Sequence, residues 1–130
     1  MSVCNVSFSA ISSGQLSTYK TQGNIETKNG AYRVSFSLEK EAGLAYVFSV
    51  FKNKVSISAT GQVSYNFTLR NGEVFNFSLN VLGKPIYGKV ECLNLAVNLS
   101  DNFIQIDAKY LLDMGGNEVE NELALKVELL

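Results

Sequence analysis

One pattern constrains this chain more than any other. Apolar and polar side chains alternate with a period of two along nearly its whole length, and the helical period of 3.6 is almost absent. In "EVFNFSLNVLG", Phe75, Phe77, Leu79 and Val81 fall on one face of an extended strand, and Asn76, Ser78 and Asn80 fall on the other. The same rule sets Tyr32, Val34, Phe36 and Leu38 against Arg33, Ser35, Ser37 and Glu39. Further on it gives Leu93, Leu95, Val97 and Leu99 one face, and Ile104, Ile106, Ala108, Tyr110 and Leu112 another.

Turn signals punctuate the alternation about every 8 to 12 residues. Asn29-Gly30 and Asn71-Gly72 are hairpin dipeptides, because both residue types tolerate positive φ. Glu41-Ala42-Gly43 breaks another strand, the sole proline is Pro85, and Ser100-Asp101-Asn102 and Gly115-Gly116-Asn117 supply later turns. So many sequential hairpins in an open sheet would leave two bare edges, and closing the sheet on itself removes both. The chain is therefore expected to be all-β: an antiparallel up-and-down β-barrel of about eight to ten strands, forming a single domain over residues 1–130. A sandwich is the alternative, but its Greek-key connections need longer crossovers than these turns offer.

The composition excludes most chemistry. There is no histidine, so Ser-His, Cys-His and facial-triad sites are all missing. Cys4 and Cys92 lie too far apart for a zinc signature and read as small apolar strand residues, expected reduced. Neither a glycine-rich dinucleotide loop nor a Walker lysine is present. Asp107 with Lys109, and Glu120 with Glu122, share outer strand faces, where exposed charge is the default. The chain is thus expected to have no enzymatic activity, no catalytic residues, no metal and no cofactor.

Eleven basic and twelve acidic side chains leave a formal net charge of −1, with no basic run. Nucleic acid and anionic membranes are accordingly not expected as partners. The first residues, "MSVCNVSFSAISSG", lack a charged segment followed by a continuous apolar one, and no stretch approaches the ~20 apolar residues of a membrane helix. A cytoplasmic location is expected.

Inward-pointing side chains supply the site candidates. Tyr32, Phe36, Phe67, Phe77 and Tyr110 fall on apolar faces and would line or fill a lumen, as would Tyr65 and Phe75. Each ring buries ~150–250 Å², so so many converging on a small barrel would leave a packed core or a narrow slot. Asn121 is in phase with Leu123, Leu125, Val127 and Leu129, which places an amide where the core should be. A buried amide needs hydrogen bonds, either to the backbone or at the mouth of a pocket. The strand "LAYVFSVF" is apolar on both faces, which makes Val47 and Phe51, on its outer side, candidates for a self-association surface.

The ordered landmarks "TKNGAYRVSFSLEKEAGL", "VSISATGQVSY", "PIYG" and "LLDMGGNEVENELALKVEL" resemble the YwiB-like proteins, small bacterial proteins whose domain has no assigned function and which are placed with the calycins. The resemblance spans roughly residues 16 to 130, and its most specific parts are the "KNGAY" hairpin and Asn121-Glu122. It implies a calycin/lipocalin-like barrel of bacterial, cytoplasmic origin, able to hold a small apolar molecule. The chain lacks the tryptophan of secreted lipocalins and the late Arg-x-Tyr of fatty-acid carriers. The leading expectation is a non-enzymatic binding module for a small apolar ligand; the alternative is an interaction protein with a filled barrel that acts through its outer surface as a homodimer.

Overall fold

The structure is a computed structural model that describes residues 2–38 and 44–130; the expected strand break at Glu41-Ala42-Gly43 and the outward position of Glu39 lie outside the described residues. Ten strands follow one another: β1 (Ser2–Ser12), β2 (Gln15–Lys28), β3 (Ala31–Leu38), β4 (Leu44–Val50), β5 (Val55–Thr60), β6 (Val63–Leu69), β7 (Val74–Val81), β8 (Lys84–Leu99), β9 (Phe103–Asp113) and β10 (Glu118–Leu129). Each pairs antiparallel with the next, and β1 pairs with β10, so the meander closes into an up-and-down barrel. Among the described residues there is no helix.

The turn chemistry is legible in the dihedrals. Asn29 and Gly30 both hold positive φ (53° and 77°), as a tight Asn-Gly hairpin requires. Asn71-Gly72 behaves differently. Only Gly72 has positive φ, and Glu73 N–H donates to the Arg70 carbonyl at 3.0 Å, a four-residue turn that leaves the Asn71 side chain free for another task.

Inward residues form one core, with Phe48, Ile57, Leu69, Ile104, Ile106 and Leu125 among its fully buried members. The two ends of the lumen differ. Val50, Val55, Leu69, Ile104 and Val127 crowd one end, while Tyr46, Tyr65, Tyr110 and Asn121 lie toward the other, as the strand registers place them.

Two seams interrupt the wall. The β2–β3 ladder covers only Asn24–Lys28 against Ala31–Ser35, and the β6–β7 ladder only Val63–Tyr65 against Leu79–Val81. The second seam corrects one expectation: Phe75, inward by alternation, is 39% exposed, because β7 has already parted from β6 at that level. A β-bulge between Cys92 and Asn94 corrects another. It shifts the phase of β8, so Val90, Cys92 and Leu95 take the core positions and Leu93 turns outward.

Candidate functional site

The lumen is occupied by two groups of rings. Phe8 lies 5.9 Å from Phe36, 5.5 Å from Tyr46 and 6.0 Å from Phe48, centroid to centroid, and Phe36 stacks on both Tyr46 and Phe48. In the second group Phe67 contacts Tyr65 at 5.5 Å, Phe77 at 5.6 Å and Tyr110 at 5.7 Å. A hydrogen bond between the Tyr65 and Tyr46 hydroxyls links the groups.

The candidate lumen residues are thus only partly brought together. Phe67, Phe77 and Tyr110 share one cluster, while Phe36 belongs to the other. Tyr32 stands apart, half-buried beside Val50 near the aliphatic end. Asn121 is 6% exposed and sits in register with Tyr110; its Nδ2 donates to the Val119 carbonyl at 3.0 Å. Phe8, Tyr46 and Phe48 were not among the candidates, although the alternation in "VCNVSFS" and "LAYVFSV" carries the same signal for them.

Electrostatics at this end follow from burial. Desolvation, with Tyr46 nearby, pushes the Tyr110 hydroxyl up to about 12, and Tyr65 is raised further by desolvation and then by the adjacent Tyr46 and Tyr110. These hydroxyls stay neutral over the physiological range. They can exchange hydrogen bonds but supply no base. Both cysteines are buried free thiols, and desolvation raises their pKa, which suppresses nucleophilic reactivity.

Grooves lie on the outside of the wall. Val47 and Phe51, half-buried, line one of about 360 Å³ with Ala31, Arg33, Ser58 and Asn66, and the Lys54 ammonium stands 4.6 Å from the Phe51 ring centre. Another, of about 320 Å³, runs from β2 across β1, β10 and β9 to β8 over Leu16, Ile11, Glu122, Lys109 and Asn94. The Lys109 Nζ reaches Glu120 at 2.8 Å and Glu122 at 3.9 Å, which holds the ammonium above its ordinary range. Among the described residues no three of His, Cys, Asp or Glu gather so as to hold a metal ion.

The barrel is similar to the crystal structure of the YwiB protein from Bacillus subtilis: TM-score 0.81 and 15% sequence identity, over 98% of this chain and 90% of that one. At that identity the likeness establishes a shared fold. No protein-family model and no curated protein matches the chain.

Proposed function

We propose that this barrel is a non-enzymatic interaction module that keeps its lumen filled and acts through its outer surface as a homodimer. The observation that carries this reading is the ring packing. Phe8, Phe36 and Phe48 are buried in mutual ring contact, and Phe67 is buried against Phe77 and Tyr110 in the second group, so an apolar guest would have to displace protein side chains. Interiors are close-packed, and a displaced ring loses contacts that the guest must first restore.

The outer surface suits a protein partner. Ser35, Val47, Ser58 and Asn66 form one in-register row across β3 to β6, built from neutral side chains that desolvate at lower cost than Lys or Glu. This polar exterior around an apolar interior is the reverse of a lipid-facing barrel, which supports a protein away from membranes. The lack of a basic run in the sequence likewise speaks against nucleic acid. On this reading the chain is a cytoplasmic relative of the calycin barrels that has no cofactor.

A second reading, a carrier of a small apolar ligand, is favoured by one feature: Tyr65, Phe77, Tyr110 and Asn121 cluster toward one end, where a guest with a polar group would find hydrogen-bond partners. Native mass spectrometry separates the two. A bare mass at twice the chain supports the homodimer. Excess mass on each subunit, lost on denaturation, supports the carrier. A bare monomer at high concentration overturns the homodimer.

A further inference from the structure

We propose that Asn29 is a self-modification site: it loses its side-chain amide through a cyclic imide formed with the nitrogen of Gly30, while the fold holds Asn71, in the chain's other Asn-Gly pair, unreactive. The proposal goes beyond both functional readings and depends on neither.

The chemistry is local. The Gly30 nitrogen gives its proton to solvent and attacks Asn29 Cγ; a C–N bond closes the imide, and the side-chain nitrogen leaves as ammonia. Water then opens the ring at either carbonyl, which yields aspartate or its isomer, isoaspartate. The step is neither oxidation nor reduction, and solvent is its only co-reactant. The reacting atoms belong to adjacent residues, so rotation about χ1 and ψ of Asn29 brings them together. A following glycine favours ring closure because it has no Cβ to crowd the approach. The sequence holds two such pairs, Asn29-Gly30 and Asn71-Gly72.

By sequence and exposure the two pairs are alike. All four residues are exposed, and both glycines have positive φ. Hydrogen bonding separates them. At Asn71, Oδ1 accepts from the Leu95 N–H and Nδ2 donates to the Leu95 carbonyl, which fixes the carbon that would be attacked. The nucleophile is tied as well, because the Gly72 N–H donates to the Cys92 carbonyl. These bonds must break before a ring can close there, which at their ordinary net strength slows the step about a hundredfold. Asn29 has no such restraint. Among the described residues no hydrogen bond engages its amide or the Gly30 N–H, and open space surrounds Gly30.

The position gives the change a consequence. Asn29 lines the groove that holds Val47 and Phe51, beside Lys28 and Arg33, so aspartate adds a negative charge at that rim. Isoaspartate runs the main chain through the former side chain and lengthens the tight turn that closes the short β2–β3 ladder.

Ageing the folded, full-length protein in mildly alkaline buffer tests this, with each site followed by peptide mass mapping and by isoaspartate methyltransferase labelling. In the folded protein Asn29 is expected to convert about a hundredfold faster than Asn71. In concentrated urea the bonds to Leu95 and Cys92 are lost, and the two sites are expected to convert at similar rates. Equal rates in the folded protein would overturn the protection assigned to Asn71. Conversion of Asn29 that is far slower in the folded protein than in urea would show that the turn itself restrains it, and would overturn the site.

Discussion

The Asn71 side chain takes the place of a strand: its Oδ1 accepts from the Leu95 N–H at 2.6 Å, and its Nδ2 donates to the Leu95 carbonyl at 3.1 Å. Gly72 N–H donates to the Cys92 carbonyl at 2.9 Å and Cys92 N–H to the Glu73 carbonyl at 3.1 Å, extending the β7–β8 ladder up to the bulge. Beyond the bulge that backbone pairing stops, and the amide of Asn71 imitates one further peptide. A dipeptide that reads in sequence as a plain hairpin turn thus also closes the wall where β6 and β7 have separated.

Asn71→Ala is therefore expected to cost about 2 kcal/mol, the net worth of two hydrogen bonds at roughly 1 kcal/mol each. Asn71→Asp keeps the acceptor but aims a carboxylate at the Leu95 carbonyl, so it is expected to cost at least as much at neutral pH. Urea unfolding measures both. An unchanged midpoint for the alanine variant would mean that water satisfies Leu95 equally well.

Asn121 offers a test with an internal pH control. It is buried in register with Tyr110 and bonded to the Val119 carbonyl, so Asn121→Asp replaces a donor with a buried carboxylate. An uncompensated buried charge costs about 3–5 kcal/mol. Burial raises the folded pKa of such a group above its unfolded value, so the variant's stability is greatest at low pH and falls as pH rises through the folded pKa. Acidification should therefore narrow the gap to the unaltered protein. A gap that stays constant with pH would mean that the carboxylate is solvated and the site is wet.

How far the fold could be read from the sequence depended on how local each signal was. Alternation placed Phe36, Phe67, Tyr110 and Asn121 inward correctly, because period two is fixed by each strand alone. It failed at Phe75 and Leu93, whose environments depend on a seam and a bulge between strands distant in sequence. It also could not show that Phe36 and Phe67 belong to different clusters, since that is decided by which strands face each other across the lumen.

Half-buried tyrosines predict an alkaline limit to stability. Tyr110 titrates at about 12 in the fold against an ordinary 10.0, with desolvation as the main cause. Above pH 10 the unfolded chain has released this proton and the folded chain has not, so stability is complete below 10 and is lost as pH rises toward 12. Tyr65, raised further, acts in the same direction. Tyr110→Phe removes one of these groups and should flatten the decline, as followed by urea titrations at successive pH values from about 8 upward. An identical decline in the variant would move the alkaline sensitivity to other residues.

Gly23 sets the close approach at the first seam. A Cβ at this position would come within 2.5 Å of the Ser35 carbonyl oxygen, 3.1 Å of the Phe36 Cβ and 3.2 Å of the Val6 Cγ2. A strand backbone cannot yield as a flexible side chain can, so Gly23→Ala is expected to cost about 2–3 kcal/mol through overpacking. Gly30 is the useful contrast. Open space surrounds it, and only its φ of 77° opposes a side chain, so Gly30→Ala should cost nearer 1 kcal/mol. Trimming the neighbour separates the two causes at Gly23. Val6→Ala removes the 3.2 Å contact but leaves the carbonyl in place, so adding it to Gly23→Ala should bring no recovery in thermal or urea unfolding. Recovery would show that Val6, and not the β3 backbone, is what demands a glycine there.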